Sequence, residues 1–242
     1  MKNIKKKLGL LLATTLMGGL IATSASAATI NSHFSDAFDY QSSNWEKANG
    51  YSNGDMFDCI WRANNVNFNG GLMNVGITRD YGSNYKYAGG EYRSKDKFGY
   101  GLYQVRMKPA KNIGIVSSFF TYTGPSDGTP WDEIDIEFLG KNTNQVQFNY
   151  YTNGVGKHEH LYNLGFDASQ SFHTYAFNWQ RNYIAWLVDG KEVYRAYNNI
   201  PSHPGKMMMN VWPGTNVDTW LGHYNGATPL TAQYDWVSYD PM

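Results

Sequence analysis

The segment WDEIDIEFLG, residues 131–140, sets four acids, Asp132, Glu133, Asp135 and Glu137, within six consecutive positions. In a β-strand, successive side chains point to opposite faces. Glu133, Asp135 and Glu137 then share one face, and Ile134, Ile136 and Phe138 share the other. Three carboxylates in line repel one another, which costs stability. Edge strands are usually guarded by lysines or isolated charges, and a strand with so apolar a reverse face belongs against a core. The chemistry that needs paired carboxyls is glycoside hydrolysis, in which two of them flank the scissile bond. A retaining mechanism wants them about 5–5.5 Å apart. At a rise of about 3.3 Å per residue the Cα atoms of Glu133 and Glu137 lie roughly 13 Å apart. Two glutamate side chains leaning inward on a concave sheet can close that gap. Asp135, between them, can hydrogen-bond either one. Crowding should raise at least one pKa and make the three titrate as a coupled set. A neutral acid beside an ionised nucleophile is what the reaction requires.

The elements that must position these acids are strands. Alternating apolar and polar residues recur in GLMNVGIT, YGLYQVRMKP, GIVSSFFTYTG, QVQFNYYTNG, HTYAFNWQ, YIAWLVDGKEVYRAY, KMMMNVWPG and AQYDWVSYD, with turn residues between them. Asp189-Gly190 and Asn153-Gly154 are two-residue hairpin signals of the kind that needs positive φ. Regular short strands with turn signals predict an all-β antiparallel sandwich or barrel. A short helix is expected near Asp167–Gln170, and PSHPGK, residues 201–206, reads as a rigid loop. No internal repeat, linker or second-domain boundary interrupts the pattern.

The first 27 residues read as a secretory signal peptide: Lys2, Lys5, Lys6 and Lys7, an apolar run from Leu8 to Ile21, then Ala25-Ser26-Ala27. The run is too short and too interrupted to be a comfortable membrane span. Residues 28–242 are expected to form a single domain in the secreted protein. Loss of the four lysines leaves sixteen Lys and Arg against twenty Asp and Glu, a net charge of about −4. A mildly acidic surface argues against nucleic acid or an anionic membrane as partner. A single cysteine, Cys59, excludes an intrachain disulfide and is expected to be a buried apolar residue. Aromatic residues make up 16% of the chain beside 25 glycines, a composition suited to stacking on sugar rings.

DEIDIEFLG carries the Glu-x-Asp-x-Glu pattern of glycoside hydrolase family 16. Its surroundings, including GYGLYQVRMKPAKNIGIVSSFFTYTGP, VQFNYYTNGVG, LGFDASQSFHTYAFNW and YNGATPLTAQYDWVSY, resemble the bacterial lichenases, the endo-(1,3-1,4)-β-glucanases. The likeness runs from about Phe38 to Tyr239. It implies a curved β-sandwich jelly roll of concanavalin-like type, with the acidic strand lining a concave groove. It implies Glu133 as nucleophile, Glu137 as general acid/base and Asp135 as their assistant, with no cofactor in the chemistry and a β-glucan as substrate. It further implies sugar contacts from Tyr51, Asn53, Glu91, Arg93, Phe120, Trp131, Asn149, Tyr151, Asn210, Trp212 and Trp220. Glu91 and Arg93 share a strand face and could equally be a plain ion pair. A structural Ca²⁺ away from the groove is implied at Ala37, Gly70 and Asp235, largely through backbone carbonyls; hard oxygen donors suit that ion. A monomer is the default expectation.

Two departures from the family pattern stand out. Many relatives join the MFDC cysteine to one just before EYRS; here that second position is Gly89, so the bridge is absent. Ala37 stands where relatives carry proline, which a carbonyl ligand does not require. His158 and His160, in KHEH, have no further His or Cys cluster beside them and read as a solvated loop. Other β-glucans such as laminarin remain open as substrates, because the acids do not set specificity. A non-catalytic glucan binder would have no need of three crowded acids.

Overall fold

The computed structural model describes residues 27–242; the signal-peptide segment lies outside the described residues but for its last. The strands run in chain order as β1 Thr29–Ile30, β2 Phe34–Asp36, β3 Trp45–Lys47, β4 Ile60–Trp61, β5 Val66–Asn69, β6 Leu72–Arg79, β7 Tyr87–Phe98, β8 Gly101–Lys108 and β9 Ile115–Thr123. There follow β10 Asp132–Leu139, β11 Gln145–Tyr151, β12 His160–Asn163, β13 His173–Trp179, β14 Ile184–Val188, β15 Lys191–Ala196, β16 Gly205–Pro213 and β17 Leu230–Pro241. A short helix, α1 (Asp218–Leu221), precedes the last strand.

Two layers form. The first is ordered β12–β11–β10–β9–β16–β7–β3, all antiparallel neighbours. The second runs β15–β14–β13–β8–β17. Along its other edge β17 pairs first with β6 and then with β2. The layers join at a corner where Thr78 and Arg79 of β6 pair with β7. The result is a curved, nearly closed all-β jelly roll, as expected.

The alternation that makes these strands also makes the core. Ile134, Ile136 and Phe138 are fully buried between the layers, with Phe119, Phe148, Tyr103, Tyr175, Trp179 and Trp186. Two bonds tie the second layer to the back of the first: Trp186 Nε1 donates to the Asp135 carbonyl at 3.1 Å, and the Tyr234 hydroxyl donates to the Ser118 carbonyl at 2.9 Å. Buried Trp and Tyr need such partners, and these two fix the strands that carry the site.

Both hairpin signals hold. Asp189 and Gly190 have φ of 47° and 77°, and Asn153 and Gly154 have 52° and 78°. The helix expected at Asp167–Gln170 is instead a turn, closed by the Gln170 N–H on the Asp167 carbonyl, with the Asp167 carboxylate accepting from the Ser169 N–H and hydroxyl. The side chain competes for the backbone donors that a helix would use. Cys59 is fully buried, and burial pushes its thiol pKa up. Gly89 lies against it: a Cβ there would sit 2.8 Å from Sγ and 3.0 Å from the Val211 carbonyl. KHEH is a loop up to the start of β12, with Lys157 and Glu159 exposed, but its two histidines are half-buried. His158 stacks on Tyr150 at 3.9 Å, and His160 stacks on Tyr194 at 3.7 Å. Neighbouring rings offered each imidazole a face to cover.

Candidate active site

The register of the first layer lays polar side chains across its open face in rows. Glu133, Asp135 and Glu137 of β10 face Tyr151, Asn149 and Gln147 of β11 on one side. They face Tyr122, Phe120 and Ser118 of β9 on the other. The rows continue through Met208 and Asn210 of β16 to Arg93 and Glu91 of β7. These residues point away from the core, yet Asp135, Gln147, Asn149 and Asn210 are each only 4% exposed and Glu91 1%. The outward residues of β8 in the second layer, by contrast, keep intermediate exposure. Curvature and the surrounding loops crowd this face into a groove, whereas the other sheet is convex to solvent.

Within the groove the acids are held individually. Trp131 Nε1 donates to Glu133 Oε2 at 2.5 Å, and the indole stacks on Tyr151 at 4.3 Å. Gln147 Nε2 donates to Glu137 Oε2 at 2.7 Å, while its Oε1 accepts from Trp220 Nε1 at 3.1 Å. Asp135 hydrogen-bonds Glu133. Burial pushes the Glu133 pKa up to about 7, against the lowering effect of the Trp131 and Asp135 bonds. Burial pushes Glu137 up to about 8; the Gln147 bond opposes it, and the charges of Glu133 and Glu159 add to it. Asp135 is raised well above its ordinary value by burial, then by the two glutamate charges and its bond to Glu133. The three thus behave as one coupled set. Burial favours the protonated form at each of the three.

The proposed sugar contacts all lie about this face, but not all are free. Tyr51 donates to Glu91 Oε1 at 3.4 Å, and Asn210 Nδ2 donates to Glu91 Oε2 at 3.3 Å. Burial raises Glu91 to about 6 despite these bonds. Arg93 does not pair with Glu91. Its Nε donates to Glu46 Oε1 of β3 at 2.8 Å, and its guanidinium lies over Tyr51. Asn210 also accepts from the Ser118 hydroxyl at 2.6 Å. Asn53 accepts from Trp61 Nε1 at 3.0 Å. Trp212 is 4% exposed, packed on Phe57 at 4.2 Å with Trp220 at 6.1 Å. Phe120 lies opposite Asp135, 8% exposed. Trp131 is 36% exposed at the groove's end. Asn149 Oδ1 is buried with no partner, an acceptor that a sugar hydroxyl would satisfy.

Gln147, Tyr122, Ser118, Met208 and Glu46 escaped the sequence reading. Gln147 was within its reach: it has the strand parity of Asn149 and Tyr151. The other four are visible only once strands distant in sequence are paired.

Asp235 sits where β17 changes partner. Its pairing with β6 ends at Tyr234, its pairing with β2 begins at Val237, and the register shifts between Tyr234 and Trp236. Ala37 directly follows β2, and Gly70, with φ of 62°, opens the turn from β5 to β6. The topology therefore gathers all three at one edge of the second layer. Their donors are oxygens, a set that fits Ca²⁺, although the Asp235 carboxylate is paired with Arg106.

The profile of glycosyl hydrolases family 16 matches residues 53–238. A beta-glucanase of Paenibacillus polymyxa is 62% identical over 229 residues, covering 93% of this chain and 95% of that one. The crystal structure of a prokaryotic beta-1,3-1,4-glucanase (lichenase) from a mouse hindgut metagenome is 68% identical. It superposes with a TM-score of 0.86 over 87% of this chain and all of that one. The Bacillus licheniformis beta-glucanase structure is 60% identical, with a TM-score of 0.84 over 87% and 99%. With the acid row already in its groove, the chain belongs to glycosyl hydrolases family 16, among its bacterial β-glucanases.

Proposed function

We propose that the protein is a secreted, retaining endo-glucanase that cleaves β-1,4 bonds next to β-1,3 linkages in mixed-linkage β-glucan. The observation that carries this reading is the coupled row of Glu133, Asp135 and Glu137 in a groove of lichenase-like architecture. Glu137 protonates the leaving glycosidic oxygen while Glu133 attacks the anomeric carbon. Water then hydrolyses the glycosyl-enzyme, with Glu137 as base. Asp135, bonded to Glu133, orients the nucleophile and holds a shared proton near it. Trp131 gives Glu133 a second donor, so its carboxylate arrives at attack with one fixed rotamer.

Secretion after removal of residues 1–27 and a monomeric state belong to the same proposal, as do a polysaccharide rather than a nucleic acid or membrane as partner. No described helix is long and apolar enough to cross a membrane. A Ca²⁺ held by the carbonyls of Ala37 and Gly70 and the carboxylate of Asp235 would pin the β17 partner switch and take no part in the reaction. Its test is a melting temperature that rises with added Ca²⁺ and falls with chelator.

Reducing-sugar release from barley β-glucan, laminarin and carboxymethyl-cellulose tests the substrate. Cleavage of barley β-glucan, with short β-1,3-ended oligosaccharides as products, is expected. Cleavage of laminarin alone would overturn the mixed-linkage reading.

A further inference from the structure

The groove does not end at Glu137. Along β10 the line from Glu133 to Glu137 runs on to Leu139, which has the same strand parity, and then to the turn at Asn142. On β11 the same face carries Gln147 and Gln145, and on the edge strand β12 Leu161 lies directly opposite Gln147. Together with Trp220 of α1, these residues line one pocket of about 190 Å³. The pocket shares a wall with the acid row. Gln147, which donates to Glu137 Oε2 at 2.7 Å and accepts from Trp220 Nε1 at 3.1 Å, belongs to both.

Its lining is of two kinds. Leu139, Leu161 and Trp220 supply apolar surface, and Leu161 is 54% exposed, a large aliphatic side chain left open on the groove face. Asn142, Gln145 and Gln147 supply amides that are already held in place. Asn142 Nδ2 donates to Gln145 Oε1, and Gln145 Nε2 donates to Asn163 Oδ1, both at 2.8 Å. Each such bond uses one of the two hydrogens on an amide nitrogen. Apolar surface with a few fixed polar groups is what orients a neutral sugar ring, its C–H face on the one and its hydroxyls on the other. The volume is below the roughly 300 Å³ at which sites for drug-sized ligands begin, and suits a single ring.

The reaction decides which part of the glucan comes here. In a double displacement the nucleophile approaches the anomeric carbon from the side opposite the leaving oxygen. The leaving chain therefore points from Glu133 towards Glu137, and the pocket is the next part of the groove on that line. Leu161 stands two strand spacings, about 10 Å, to the side of β10. We infer that the pocket seats a glucosyl unit on the leaving side of the scissile bond, and that Leu161 sets how strongly the enzyme favours substrates that carry one. This rests on the substrate reading above. A unit fixed there helps to hold the glycosidic oxygen against Glu137, so its binding is used for positioning.

The test compares two substrates with the same glucosyl units before the bond. One is a mixed-linkage oligosaccharide with glucosyl units on the leaving side; the other is an aryl glycoside with none. The ratio of kcat/KM on the first to kcat/KM on the second is read for the parent enzyme, Leu161→Ala and Leu161→Met. Leu161→Ala should lower that ratio about three- to ten-fold, and Leu161→Met, which keeps the apolar volume, should restore most of it. An unchanged ratio in Leu161→Ala overturns the inference and leaves the groove reading standing. A fall as large in Leu161→Met also overturns it, because loss of apolar contact would then not be the cause. A parent enzyme that cleaves neither substrate overturns the substrate reading and this inference with it.

Discussion

Asp132 and Asp135 lie three residues apart on one strand, 3% and 4% exposed, and their carboxyls behave oppositely. Burial pushes both up. At Asp132 the backbone N–H groups of Asn153, Ser202 and His203 and the His203 ring outweigh it, and the carboxyl is held below its ordinary value. Those contacts measure 2.8, 2.9, 3.0 and 2.8 Å. At Asp135 the nearest charges are Glu133 and Glu137, and the proton is kept. Burial alone therefore does not decide ionisation; what each carboxyl faces does. Asp132 spends its charge tying two loops to the start of the acidic strand. The next three acids on the groove face have no cation within the set, and that deficit is what makes them chemically useful.

The comparison can be broken most severely at the proposed nucleophile. Glu133→Gln should lower kcat by roughly 10⁴-fold or more, with an unchanged circular dichroism spectrum. Glu137→Gln removes the proposed proton donor and should cost about 10²–10⁴-fold, more on substrates with poor leaving groups than on aryl glycosides. An equal loss on both substrate types would speak against its role as acid.

Stability separates the two aspartates. Asp132→Ala strands several buried donors and should cost roughly 3 kcal/mol at neutral pH, in urea unfolding. Because the Asp132 pKa is depressed in the fold, its contribution is present above the ordinary aspartate value and lost as pH falls through the folded value. Asp135→Asn should do the reverse. Its folded pKa is raised, so the stability it lends at low pH is lost as pH rises, and the amide removes that loss. The glutamates share this sign. Their contribution is present below the ordinary value of 4.5 and fades as pH rises through about 7 and about 8. Glu137→Gln should therefore flatten the fall in stability over that window.

The smallest effect belongs to Gln147→Ala. Its bond lowers the Glu137 pKa, so its loss should move the basic limb of the kcat/KM profile upward by less than a unit, with a few-fold change in rate. No shift in that limb would mean that Gln147 serves packing alone.

Much of this was legible in the chain because strand parity is local. The separation of Glu133, Asp135 and Glu137 from Ile134, Ile136 and Phe138 needs nothing beyond period two, and the three apolar residues are fully buried. The Asp189-Gly190 and Asn153-Gly154 turns are equally local. Asp132 shows where locality ends. It looked like a fourth member of the acid cluster, but its donors come from positions some 20 and 70 residues away. Arg93 shows the same limit. Its face-mate Glu91 was the natural partner, yet β3 brings Glu46 to it and leaves Glu91 to Tyr51 and Asn210. The missed turn at Asp167 came from a side chain outcompeting a weak helix signal.

The central claim, that Glu133 attacks while Glu137 delivers the proton, is tested most directly by the anomeric configuration of the first product. Proton NMR of β-glucan hydrolysis within the first minutes should show the new reducing end as the β-anomer, with the α-anomer growing in only by mutarotation. An α-anomer formed first would mean direct attack by water, and would contradict the assignment of Glu133 as nucleophile.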